Sequence, residues 1–211
     1  MSVTLAKNAG FCFGVSRAVE TVEKVAAEGK KVVTLGPIIH NRHVVSKFSD
    51  LGVCVIDSPE EAKPGMTVII RSHGVSRAVM QALEEKGVEV IDATCPFVKR
   101  IHGIVEKAEQ EGRLPIIIGT RTHPEVEGIA GWCSDCRVFE SAEELENWIN
   151  EGKISPDLPV SMVCQTTFTE NSWKKSAKIA KKQFTNLKIF DTICRATEFR
   201  QGEAAVLSAS C

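Results

Sequence analysis

Cys12, Cys95 and Cys194 can each supply a thiolate, the side chain that serves both as a nucleophile and as a soft metal ligand. Their spacing sets them apart from the other five cysteines. Sliding the 211-residue chain along itself by 83 positions lays Cys12 on Cys95, Val15 on Val98, Arg17 on Arg100, Val22 on Val105, Gly29 on Gly112, Gly36 on Gly119 and His40 on His123. Ser58, Glu60 and Glu61 fall on Ser141, Glu143 and Glu144. The second repeat then carries a longer connection, "NWINEGKISPDLP", after which the offset is 99 and "VIDATC" falls on "IFDTIC". An Asp thus stands three residues before both Cys95 and Cys194. A thiol that only fills a core has no reason to recur in register with a histidine 28 residues later, although one gene duplication would preserve both passively. The recurrence points to a shared site.

Structural zinc usually completes four protein ligands, and iron–sulfur clusters usually take four cysteines. Three thiolates leave a metal corner open, where a substrate oxygen could bind and be polarised. His40, His73, His123 and Thr166 follow strand-like runs, whereas His43 and His102 sit inside helical patterns and read as structural. Glu125, two residues after His123 in "THPEVEG", could pass a proton to a bound substrate. The same place in a helix's first turn equally suits a carboxylate favoured by the helix dipole. "CSDC" (133–136) is a lone C-x-x-C, half a zinc site without thioredoxin-like surroundings. Neither G-x-G-x-x-G nor a Walker loop occurs, which argues against nucleotide binding.

The elements that must position these residues are legible as apolar, β-branched runs: "VVTL" (32–35), "VCVI" (53–56), "TVII" (67–70), "VEVI" (88–91), "PIII" (115–118), "PVSMV" (159–163) and "LKIF" (187–190). Between most of them lie helical patterns, such as Val15, Val19, Val22 and Val25 with Ala18 and Ala26, closed by Gly29. Alternation of strand and helix predicts an α/β fold with parallel sheets, and such folds carry ligand-contacting residues beyond the carboxyl ends of their strands. The three cysteines each open a unit, at a turn into a helix: 13–94 is the first α/β unit, 95–193 the second, and 194–211 with 1–12 a partial third. Three units about a pseudo-threefold axis would bring the thiolates together.

Lys and Arg number 26 against 27 Asp and Glu, so no global basic field favours nucleic acid or an anionic membrane. No apolar run approaches transmembrane length and the first ten residues lack a signal-peptide core, so a cytoplasmic protein with reduced thiols is expected.

In order along residues 9–201, "AGFCFGVSRAV", "LGPIIHN", "RSHGV", "DATCPFV", "HPEVEG", "QTT" and "ICRAT..RQ" resemble the LytB family, the 4-hydroxy-3-methylbut-2-enyl diphosphate reductases. The resemblance implies the last step of the non-mevalonate isoprenoid pathway, a reductive dehydroxylation giving isopentenyl and dimethylallyl diphosphates. It implies a trefoil of three α/β units around a 4Fe-4S cluster held by Cys12, Cys95 and Cys194. His40, His73 and His123 match residues around the diphosphate, Glu125 the proton-delivering acid, and Thr166 a residue beside the hydroxyl. Electrons would come singly from a ferredoxin or flavodoxin. The family's third unit carries a Ser-x-Asn type loop on the diphosphate; by the repeat's spacing, the His40 equivalent of that unit falls past Cys211, so the chain is expected to be truncated. Arg195 and Phe199 also depart from the family pattern. The competing readings are another three-cysteine trefoil enzyme, such as a quinolinate-synthase-like dehydratase, and an inactive cluster-binding fragment.

Overall fold

The computed structural model describes residues 3–152 and 154–209, so the ends of the expected third unit (1–2 and 210–211, Cys211 included) lie outside the described residues. Two four-stranded sheets, every pairing parallel, make up the fold. The first orders β2 (Cys54–Ile56), β1 (Lys31–Leu35), β3 (Met66–Ile70) and β4 (Glu89–Asp92) side by side. The second orders β6 (Arg137–Phe139), β5 (Leu114–Ile118), β7 (Val160–Cys164) and β8 (Leu187–Ile189) in the same way. The α/β reading with parallel sheets is therefore correct, and each run expected to be a strand is one. In each sheet the chain steps outward from its first strand and returns to that strand's other side, which makes the gap between β1 and β3, and between β5 and β7, a topological switch point.

Strand composition follows from two-sided burial. Ile116, Ile117 and Ile118 are wholly inaccessible, as are Val68, Ile69 and Ile70, because helices cover both faces of a parallel sheet. On the first sheet α1 (Phe13–Ala27) and α2 (Arg42–Asp50) cover one face with Ala18, Val22, Val25 and Phe48, and α3 (Arg77–Glu85) covers the other with Leu83. On the second, α6 (Ala142–Asn150) and α7 (Glu170–Gln183) pack Leu145, Trp173 and Ala180 on one side. There α4 (Pro96–Gln110) and α5 (Pro124–Ala130) pack Ile101, Val105, Val126 and Ile129 on the other. A buried side chain of this size contributes roughly 1.5–3 kcal/mol. Helix α1 ends where Gly29 adopts a φ of +71°, as its position at the end of the apolar stripe requires.

The last helix, α8 (Ala196–Ser208), follows Cys194 as expected and ties back to the N-terminal segment. Glu203 accepts the backbone N–H groups of Lys7 and Asn8 at 2.6 and 2.8 Å, and Arg200 Nε donates to the Asn8 carbonyl at 3.1 Å. Phe13 and Phe199 are exposed on this side of the molecule. Among the described residues no helix is long and apolar enough to cross a membrane.

Candidate active site

Four of the singled-out polar residues lie in loops beyond the strands' carboxyl ends, at the two switch points. His40 follows β1, His73 follows β3, His123 follows β5 and Thr166 follows β7. The imidazoles meet: the His40 and His73 rings are 4.9 Å apart, and the His73 and His123 rings 5.5 Å apart, edge to face. Burial depresses His73 to about 4, helped by the positive charges of His40, Arg71 and His123. His123 is lowered by the same causes, burial first, then His40 and Arg71. Both are thus neutral near pH 7. His123 Nδ1 accepts the Glu125 N–H at 3.1 Å, which leaves the ring proton of the neutral imidazole on Nε2 as a donor. His73 Nδ1 is buried without a partner.

Arg71 escapes notice in the sequence although it stands beside Ser72 and His73 in "RSHGV". Its guanidinium lies under Gly36, where an added Cβ would come within 2.5 Å of Nη1, and its Nε is buried and unpaired. Only a glycine at 36, with φ +68°, leaves that space. The result is a half-buried cation beside histidine N–H donors, a suitable setting for a multiply charged anion.

Glu125, in the first turn of α5, is only 2% exposed. Its Oε1 accepts the Thr166 N–H at 2.5 Å and its Oε2 accepts the Thr166 hydroxyl at 2.7 Å. Burial raises its pKa, with the two bonds from Thr166 working in the opposite direction. The Thr166 carbonyl in turn accepts the Cys194 N–H at 2.7 Å. One threonine therefore joins the acid to a candidate ligand loop. Ser72 holds the matching place after β3, its carbonyl accepting the Cys95 N–H at 2.9 Å.

The three cysteines converge as the repeat implies. Cys12 caps α1, Cys95 caps α4 with Pro96 at the first helical position, and Cys194 stands two residues before α8. Burial pushes the Cys95 thiol up, the N–H groups of Phe97 and Val98 oppose this, and the nearby Cys194 and Cys12 add to the rise. Gly14, in the first turn of α1, abuts Cys95 so closely that a Cβ there would fall 2.5 Å from Sγ. Arg17 on the same helix donates to the Thr94 carbonyl at 2.9 Å and fixes the loop that leads to Cys95. Among the described residues no three His, Cys, Asp or Glu side chains are grouped tightly enough to share one metal ion. Thiolates on a cluster bond to separate irons and stand further apart, so three half-buried thiols at helix starts fit that donor set. A cleft of about 560 Å³ beside Thr166, Asp191 and Glu198 opens on Cys194.

His102 is a core residue, 5% exposed and stacked on Trp132, whereas His43 is solvent-exposed on α2.

Comparison with known proteins adds a family to this geometry. The family described as LytB protein matches residues 3–211. A 4-hydroxy-3-methylbut-2-enyl diphosphate reductase of Thermoanaerobacter sp. strain X514 is 46% identical over 213 residues, covering 99% of this chain and 72% of its own length. The Aquifex aeolicus reductase is 40% identical over 206 residues, covering 95% and 69%. A solved structure of (E)-4-hydroxy-3-methyl-but-2-enyl diphosphate reductase, described as the terminal enzyme of the non-mevalonate pathway, superposes with a TM-score of 0.81 at 40% identity, over 95% of this chain and 71% of that one. The Plasmodium falciparum reductase gives 0.83 at 29% identity, over 92% and 61%.

Proposed function

The chain belongs to the LytB family, and from that membership we propose that it is a reductase of 4-hydroxy-3-methylbut-2-enyl diphosphate, acting at the last step of the non-mevalonate pathway. Two electrons and two protons enter, the allylic hydroxyl leaves as water, and isopentenyl and dimethylallyl diphosphates result. The observation that carries the reading is Thr166, which binds Glu125 through its N–H and hydroxyl and the Cys194 loop through its carbonyl. Proton source and ligand loop share one residue.

Cys12, Cys95 and Cys194 would hold a 4Fe-4S cluster, which supplies the electrons singly and offers a Lewis-acidic corner at the iron without a cysteine. His40, His73 and His123 donate N–H groups to the diphosphate, and Arg71 behind them balances its charge. Burial shifts Glu125 toward its protonated form, with the bonds from Thr166 opposing. To deliver a proton from Oε2, the Thr166 hydroxyl, which donates to that oxygen here, would turn to accept from it and pass its own proton to the leaving oxygen, so that water departs. Units 13–94, 95–193 and 194–211 with 1–12 about a pseudo-threefold axis are the arrangement this site uses. Among the described residues seven cysteines are free thiols, in keeping with a reducing cytoplasm and with a ferredoxin or flavodoxin as donor.

Iron and sulfide analysis after anaerobic reconstitution tests the ligand set. Cys12→Ser, Cys95→Ser and Cys194→Ser should each lose most of the iron, while Cys133→Ser and Cys136→Ser keep it. Undiminished iron in any of the first three would overturn the assignment.

A further inference from the structure

The loop that leads into Cys95 is held from several sides. The Ala93 N–H donates to the Ile70 carbonyl at 3.2 Å and the Cys95 N–H to the Ser72 carbonyl at 2.9 Å, which ties the loop to the end of β3. Asp92 Oδ1 accepts the Thr94 N–H at 2.9 Å, and its Oδ2 accepts from Lys99 at 2.6 Å. A further tie comes from the helix that Cys12 opens. Arg17 Nη1 donates to the Thr94 carbonyl at 2.9 Å and Nη2 to the Asp92 carbonyl at 3.4 Å. The Thr94 carbonyl belongs to the peptide bond that joins Thr94 to Cys95. Positions 14 and 17 are neighbours along one face of α1, so Arg17 stands on the side that Gly14 presents to Cys95 Sγ.

Its charge sets Arg17 apart from an ordinary brace. Among the described residues no carboxylate pairs with it: its bonded partners are carbonyl oxygens, and the one acid of the loop, Asp92, is taken by Lys99. Arg77, Arg121 and Arg137, by contrast, each meet a carboxylate. A guanidinium keeps its charge at any ordinary pH, and a half-buried one is costly unless an anion offsets it. Since Asp92 and Lys99 cancel, the net charge at this corner is the one on Arg17.

We propose that Arg17 is a positioning residue whose charge compensates the cluster that Cys12, Cys95 and Cys194 would hold and raises its reduction potential. The inference rests on the ligand reading above. Thiolate ligands bring negative charge to a cluster, and each electron taken up adds to it. A fixed cation bonded to the peptide before Cys95 therefore stabilises the reduced form more than the oxidised one. In a half-buried place that attraction is screened less than it would be across the surface. Lysine at 17 would supply the same charge without the fork that spans two carbonyls, whereas glutamine would supply a donor without the charge.

The test compares the whole wild-type chain with Arg17→Lys and Arg17→Gln after anaerobic reconstitution, reading iron content and reduction potential, with the melting of the unloaded proteins as a control on folding. Arg17→Lys should keep its iron and stay within about twofold of the wild-type one-electron equilibrium. Arg17→Gln should shift that equilibrium about tenfold toward the oxidised form, a fall of about 59 mV, or else lose the iron that lysine retains while the unloaded proteins melt together. Thr21→Glu leaves Arg17 in place and sets a carboxylate one turn further along α1, so it should lower the potential in the same direction even where glutamine disturbs the fold. Wild-type potential and iron in both Arg17→Gln and Thr21→Glu would overturn the proposal. Equal losses in Arg17→Lys and Arg17→Gln would overturn it too, by making the fork and not the charge the requirement. A wild type without iron would take the ligand reading down as well, whereas a loaded wild type with an indifferent glutamine variant would sink Arg17 alone.

Discussion

The helix that follows the first strand opens differently in the two sheets, at positions related by the 83-residue repeat. In the first sheet that place is Arg42, exposed at the start of α2; in the second it is Glu125, 2% exposed at the start of α5. The surrounding frame is the same. Strand order, the glycine after the first strand, the histidine four residues beyond that glycine, and the carbonyl after the third strand that accepts a cysteine N–H all repeat. The difference lies in how polar groups are satisfied. The first half leaves Arg71 Nε and His73 Nδ1 buried and unpaired, a state that a bound anion would relieve. The second half pairs both oxygens of Glu125 with Thr166, whose hydroxyl gives the carboxyl a defined neighbour for proton transfer. Anion recognition and proton delivery are thus divided between two copies of one scaffold.

The sharpest way to break this division is at its acid. Glu125→Gln keeps the shape and can still hydrogen-bond Thr166, but it has no proton to give, so kcat should fall by about 10²–10⁴. KM should hardly move. Arg42→Gln, at the equivalent place, should change kcat by no more than about twofold, as surface substitutions usually do. Steady-state kinetics of both decides it, and similar losses in the two would dissolve the comparison.

The first half should answer in binding instead. His40→Phe and His73→Phe keep an aromatic ring and remove a donor, and each charge-assisted bond lost is worth roughly 1.5–3 kcal/mol, or about 10- to 100-fold in KM. A loss confined to kcat would move the imidazoles from anion binding to the chemical step.

How much of this could be read from the sequence depended on the range of the interaction. Strands such as "PIII" declare themselves because a parallel strand is buried on both faces and must be apolar throughout. Edge strand β6 does not, since its three residues, Arg137–Phe139, are too few to show a period and follow a turn directly. Cys12, Cys95 and Cys194, with His40 and His123, were visible because duplication kept their register, and His73 because it follows a strand-like run. The Glu125–Thr166 contact spans 41 residues between two loops, and no local pattern announces it. Neither did anything announce the half-buried place of Arg71, whose only trace is the glycine at 36 that makes room for it.

The smallest expected effect separates the halves by pH. His73 is depressed from the ordinary 6.5 to about 4, chiefly by burial, so between those values the unfolded chain binds a proton that the folded protein refuses. Stability is therefore full above about pH 6.5 and declines as pH falls toward 4, by about 1–2 kcal/mol for one partly buried imidazole. Glu125 has the opposite sign: its pKa is raised, so the folded protein holds a proton that the unfolded chain gives up, and stability is lost as pH rises past the ordinary carboxyl range. Denaturant titrations at several pH values should show His73→Phe with a flatter acid limb than wild type, while His102, also depressed to about 4, preserves part of the slope. Glu125→Gln should leave the acid limb due to His73 in place and gain on wild type as pH rises toward neutrality. Parallel acid limbs in wild type and His73→Phe would mean that the folded protein accepts the proton near 6.5, and the neutral imidazole cluster behind the anion site would have to be abandoned.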